Sequence, residues 1–171
     1  FWFQKSTKIT FNRERIIIGI TSCLIAIVVA RVMALSLPFR SRPILNTDLN
    51  FVKPFGSTAA SLEGWSSFPS DHAVMFFSLA TGIFLISKKV GILTYLFVLI
   101  FICFPRVYLG YHYATDILAG AIIGVLITLI VSTNKISQPI SQKVFQFSSR
   151  YTGLFYTLFF LLTYEISRLF F

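Results

Sequence analysis

The strongest constraint on this chain is a series of continuous apolar runs, the first covering residues 16–37 with Arg31 as its only charge. That length suits the ~20 residues a helix needs to cross the ~30 Å hydrocarbon core of a bilayer. Four further runs cover 73–87, 90–104, 114–131 and 151–171. They are unbroken and far exceed strand length, so the period-two pattern of a half-buried sheet is excluded. The expected fold is all-α, a polytopic transmembrane helix bundle of about five spans.

Charge and composition narrow the partners. Only 12% of residues are charged, about half the share usual in a soluble domain. The 20 Phe would overfill one small core, but they suit surfaces that face lipid. A net charge of +9 raises the question of nucleic acid. The basic residues are scattered between apolar runs rather than aligned with exposed aromatics, so the partner is the bilayer and no nucleic acid is expected. Cys23 and Cys103 both fall inside apolar runs and read as small buried hydrophobes, not as a disulfide or a metal pair. Residues 1–171 read as a single membrane-embedded domain, with a core of polar clusters within 31–132 and an extra C-terminal span at 151–171. The chain begins at Phe1 rather than Met and ends within an apolar run, so a fragment lacking N-terminal spans is expected.

Basic residues also orient the spans. Lys5, Lys8, Arg13 and Arg15 precede the first run, Lys88 and Lys89 form the turn between the second and third, and Lys135, Lys143 and Arg150 lie in the loop between the fourth and fifth. Alternating spans put all of these on one side, which the positive-inside rule makes cytoplasmic. Three polar clusters then meet on the opposite face: Arg40-Ser41-Arg42-Pro43, Pro69-Ser70-Asp71-His72, and Arg106 with His112 and Asp116. Ionisable groups at a membrane boundary are expensive and mark a functional site by default. The expected location is a plasma or inner membrane, with the site on its extracytoplasmic face.

Each cluster offers phosphate chemistry. His112 and Asp116 stand four residues apart, as on one helical face, so the carboxylate can fix the imidazole tautomer and leave the other nitrogen as a nucleophile. Arg106 can neutralise phosphate oxygens. Ser70 suits a helix N-cap, Asp71 suits the first turn, and the N–H groups there can hold an anion. His72 beside them can protonate a leaving oxygen. Arg42 can clamp a second phosphate edge, with Pro43 stiffening the loop. The blander readings are a plain helix cap with an incidental His, a solvated His at an interfacial helix start, and arginines that hold lipid headgroups. Arg31, within the first span, either snorkels outward or turns into the bundle, and the bundle is favoured.

In this order and spacing, the three clusters resemble the tripartite signature of the type 2 phosphatidic acid phosphatase superfamily, which unites integral-membrane lipid phosphatases with soluble vanadium haloperoxidases. The resemblance covers roughly Arg31 to Asp116 and the following span, and the hydropathy rules out the haloperoxidase branch. It implies His112 as the nucleophile of a phosphohistidine intermediate, Asp116 as its orienting partner and His72 as the general acid. Arg42, Ser70 and Arg106 would hold phosphate oxygens. No metal and no cofactor are implied, because arginines and backbone N–H groups neutralise the charge.

The chain departs from the family pattern at two positions. A Lys or Arg is usual seven residues before the Arg-Pro arginine, where this chain has Leu35, so Arg31 or Arg40 is expected to supply the cation. Pro-Ser-Gly-His is usual in the second cluster, where Asp71 replaces Gly, either meeting phosphate through its N–H or pairing with one of the extra arginines. The expected function is hydrolysis of a lipid phosphate or diphosphate, of polyprenyl diphosphate or phosphatidate type. The alternatives are a phosphotransferase that passes the same phosphohistidine to an alcohol, and a non-catalytic lipid-binding or transport protein.

Overall fold

The computed structural model describes residues 9–55 and 63–168, with backbone alone for 9–12, 134 and 165–168. Among the described residues the chain is helical without strands. Helix α1 spans Ile9–Ser36, and two 3-10 turns follow at Pro43–Leu45 and Thr47–Leu49. Then come α2 (Asp71–Ile86), α3 (Lys88–Phe97), a π-helical stretch (Val98–Cys103), α4 (Phe104–Tyr108), α5 (Ala114–Val131), α6 (Asn134–Arg150) and α7 (Thr152–Arg168). Lys5, Lys8 and the last three positions of the fifth apolar run, 169–171, lie outside the described residues.

Arg13–Ser36, Lys88–Tyr108 and Ala114–Val131 are long and apolar enough to cross a membrane, while Asp71–Ile86 and Thr152–Tyr164 are apolar but shorter. The molecule is therefore an integral membrane helix bundle. All five apolar runs form helix, and the fourth has the expected bounds. The third is longer than the expected 90–104, because the helix continues past Pro105. Pro has no N–H for the carbonyl four residues earlier, and the helix widens to a π turn just before it. There the Phe104 N–H reaches the carbonyl of Leu99, five residues back.

The helices fall into two compact units, α1 to α5 and α6 to α7. In the first, α2 is the hub, packed against α1, α3 and α5, and α1 also touches α5. Helices α2 and α5 come close enough for backbone contact. A Cβ at Gly124 would lie 2.4 Å from the Val74 carbonyl oxygen, and one at Gly120 would lie 2.7 Å from that of Ser70. One turn further along, the Ser78 and Thr128 hydroxyls meet at 2.8 Å, so two polar groups buried in apolar surroundings satisfy each other. From α3 through the π-helical stretch to α4, Leu93, Phe97, Phe101 and Phe104 are exposed, as a lipid-facing surface requires. Cys23 and Cys103 are buried and unpaired.

In the second unit, residues 134–150, expected to be loop, form α6. The stretch is polar enough to hide its periodicity, yet Ile136, Ile140, Val144 and Phe147 recur at helical spacing. The Phe147 ring packs on Tyr151 and Phe155 of the next helix, at centroid distances of 5.7 and 6.4 Å.

These contacts give a stability test. Gly124→Ala drives a methyl into the α2 backbone and should destabilise the detergent-solubilised protein by about 1–3 kcal/mol. Gly153→Ala, with nothing within 4 Å of the new methyl, should leave the melting temperature unchanged or slightly raised.

Candidate active site

Backbone hydrogen bonds tie the three polar clusters together. The Ser67 N–H donates to the Arg40 carbonyl at 2.9 Å, Ile44 N–H to that of Gly110 at 2.9 Å, and Ser70 N–H to that of Asp116 at 3.2 Å. The first cluster thus lies on the second and third, and the second lies on the start of α5.

The third cluster is set by the end of α4. Gly110, at φ +71°, provides the left-handed residue of a Schellman motif. Its N–H bonds the Val107 carbonyl at 3.0 Å, and the Tyr111 N–H bonds that of Arg106 at 2.9 Å. A Cβ at Gly110 would also lie 2.7 Å from the Phe51 ring, so only glycine fits there. The His112 N–H donates to the same Arg106 carbonyl at 3.2 Å, so the turn itself fixes the two residues' separation.

His112 therefore stands before α5, not on it, and shares no helical face with Asp116. Its Nδ1 lies 2.9 Å from the Ser67 carbonyl oxygen and 3.8 Å from Asp116 Oδ2. A carbonyl only accepts, so Nδ1 carries the proton and Nε2 the lone pair. The Arg42 guanidinium donates towards that lone pair from Nη1 at 3.3 Å. It also bonds the Tyr111 carbonyl at 2.8 Å and the Ser66 carbonyl at 3.4 Å. Burial pulls the Arg42 guanidinium below its ordinary range, Asp71 and Asp116 push it back up, and Arg106 and Arg31 oppose them.

His72, in the first turn of α2, meets Arg106 in the same way: Nη2 of the arginine donates to Nε2 of the imidazole. Ser70 is fully buried and caps the helix, its Oγ accepting the Ala73 N–H at 3.4 Å. Its hydroxyl proton can still be donated to an anion at the helix start.

The remaining charges are paired. Arg31 turns into the bundle, its Nη2 lying 2.8 Å from Asp71 Oδ2 and its guanidinium 5.0 Å from the Trp65 ring centroid. Leu35, where the family has a cation, is 79% exposed and faces outward. Arg40 Nη1 lies 2.6 Å from Asp116 Oδ1. The other oxygen of Asp116 accepts the Tyr113 N–H at 2.8 Å, tying the carboxylate to the start of α5. Among the described residues, then, Arg31 and Arg40 each have a carboxylate, while Arg42 and Arg106 have none and each face an imidazole.

All nine expected site residues lie at this end of the bundle. Sequence reading passed over Ser66, Ser67, Trp65, Thr115 and Tyr113. Ser67 acts through its backbone, which leaves no side-chain signature, while Ser66 reaches Arg42 through its carbonyl and accepts the Arg40 and Phe68 N–H groups on its hydroxyl. The one available signal was their position directly before the second cluster.

Residues 37–138 match the model of the PAP2 superfamily. The chain belongs to that superfamily. It is 33% identical over 134 residues to the bacitracin transport permease protein BcrC of Bacillus licheniformis, across 75% of this chain and 58% of that protein. To the lipid A 1-diphosphate synthase of Escherichia coli strain K12 it is 31% identical over 131 residues, across 75% and 54% respectively. The chain thus spans a little over half the length of these curated relatives. No solved structure matches it.

The Arg31–Asp71 pair gives a second test. Asp71→Ala leaves a half-exposed cation that can reach solvent, whereas Arg31→Ala strands a carboxylate beside other buried groups. Arg31→Ala should therefore lower the melting temperature more than Asp71→Ala. The double variant should recover about 1–2 kcal/mol relative to the sum of the two, as measured in a thermal double-mutant cycle.

Proposed function

We propose that this protein is a membrane phosphatase that hydrolyses a lipid phosphate or diphosphate through a phosphohistidine intermediate, without a metal. The observation that carries this reading is the doubled imidazole–guanidinium arrangement. Each histidine has Nε2 turned to an arginine that, among the described residues, forms no ion pair with a carboxylate, so a phosphoryl group entering between them would meet two cations and two ring nitrogens. Membership of the PAP2 superfamily supports the same chemistry.

In this reading, the lone pair on His112 Nε2 attacks phosphorus, and the Nδ1–H bond to the Ser67 carbonyl holds the ring in the tautomer needed for attack. Arg42 and Arg106 move from the imidazoles to phosphate oxygens, joined by the Ser70 hydroxyl and the N–H groups that open α2. Once released by Arg106, His72 Nε2 takes a proton from the entering, singly protonated phosphate and gives it to the leaving oxygen; later it takes one from the attacking water and returns it to the departing phosphate. The substrate's tail stays in lipid. Polyprenyl diphosphate and phosphatidate-type lipids both meet these requirements.

The basic residues Arg13, Arg15, Lys88, Lys89, Lys135, Lys143 and Arg150 support a cytoplasmic location for the opposite ends of the spans, and so an extracytoplasmic site. A phosphotransferase reading, with an alcohol in place of water, is favoured by the likeness to a protein named as a lipid A 1-diphosphate synthase. Adding an alcohol acceptor to the assay and measuring phosphorylated product against free phosphate separates the two.

The deciding experiment is phosphate release from a panel of lipid phosphates in detergent containing a chelator. His112→Ala should abolish both release and covalent labelling, and Asp116→Asn should slow turnover by about 10²- to 10⁴-fold. Full activity in His112→Ala would overturn the mechanism. For the face of the membrane, both native cysteines are replaced by Ala and single cysteines are placed at the exposed positions Lys53 and Lys135. A membrane-impermeant maleimide applied to intact cells should label the first and not the second, and the reverse pattern would put the site in the cytoplasm.

A further inference from the structure

Arg40 does not approach either imidazole–guanidinium pair as a third phosphate cation would. Its Nη1 lies 2.6 Å from Asp116 Oδ1 and 3.0 Å from Thr115 Oγ1, and its guanidinium sits 4.2 Å from the centroid of the Tyr113 ring. Asp116 is fully buried, so its negative charge needs a partner. Oδ2 of the same carboxylate lies 3.8 Å from His112 Nδ1, on the side of the ring away from the attacking nitrogen. A continuous line therefore runs from Arg40 through Asp116 to the back of His112.

We propose that Arg40 is a positioning residue that acts on His112 through Asp116, and is not a ligand of the phosphate. This rests on the reading of His112 as the nucleophile. By engaging Oδ1, Arg40 fixes the plane of the carboxylate and so the place of Oδ2 behind the ring, which keeps the imidazole aimed with Nε2 forward.

The same arrangement serves the reaction. When the bond from Nε2 to phosphorus forms and the bond from phosphorus to the leaving oxygen breaks, His72 gives that oxygen a proton. The phosphorylated ring becomes cationic at the moment Asp116 stands behind it. Attack by water then breaks the phosphorus–nitrogen bond, the water's proton passes to His72, and His112 returns neutral. Arg40 thus keeps the carboxylate placed to steady the intermediate.

The test compares the whole chain, wild type against Arg40→Gln and Arg40→Lys, in detergent, with farnesyl diphosphate and dioctanoyl phosphatidate as substrates and inorganic phosphate as inhibitor. Arg40→Gln should lower kcat by about 10- to 100-fold, the size of effect seen when a group that orients a functional histidine is lost. KM and the inhibition constant for inorganic phosphate should stay within about twofold of wild type, since a group that does not touch phosphate contributes little to binding it. Arg40→Lys, which keeps the charge, should recover most of the lost kcat. A rise in KM and in the phosphate inhibition constant that accounts for the whole loss would make Arg40 a phosphate ligand and overturn the proposal. So would wild-type rates in Arg40→Gln. If that variant does not fold, Arg40→Lys decides by the same split between kcat and KM. Wild-type protein inactive on both lipids would overturn the phosphatase reading, and this proposal with it.

Discussion

The approach of α5 to α2 fixes everything that happens at the site. With hydrogen atoms in place of side chains at Gly120 and Gly124, α5 lies almost on the α2 backbone, and the Asp116 carbonyl can accept the N–H of Ser70. Ser70 caps the helix that carries His72, and Asp116 stands behind His112. A wider separation between the two helices would move the two imidazoles apart together with their arginines. The Ser78–Thr128 contact, further down the same interface, holds the packing where water is not available to compete.

Charge balance is the second constraint. Four arginines crowded at the end of an apolar bundle would repel one another strongly in a low-dielectric setting. Two carboxylates relieve this by taking Arg31 and Arg40 out of the count. Arg42 and Arg106 remain, facing neutral ring nitrogens that repel nothing and give way readily to an anion. The residue that departs from the family pattern in the second cluster, Asp71, is thereby matched by a cation placed one turn before the position where the first cluster lacks one.

Much of this was legible in the sequence because hydrocarbon tolerates few alternatives. The apolar runs announced their helices, and the fourth did so to the residue, since Tyr113 and Ser132 bound it cleanly. The turn of Arg31 into the bundle was legible too, because a lone arginine within a span has few places to go. Helix α6 was not, because its residues are polar overall and its apolar stripe is thin. The relation of His112 to Asp116 was also misread. A spacing of four suggests one helical face, but the chain between Arg106 and His112 closes into a turn, and α5 begins only after it. The Ser67 carbonyl, the nearer partner of Nδ1, belongs to the backbone, and no residue type advertises it.

That turn gives the spacing of the third cluster a physical meaning. The Arg106 carbonyl accepts both the Tyr111 and the His112 N–H, and Gly110 reverses the chain between them. The five intervening residues are thus not a tether of convenient length but the circumference of a hydrogen-bonded ring. A tether can be lengthened by a residue at little cost. A ring cannot, because one added residue would carry the imidazole off the carbonyl that anchors it and rotate it away from the guanidinium it faces. The motif works as a ruler, graduated in hydrogen bonds, and its single mark is the distance from a helix end to an imidazole.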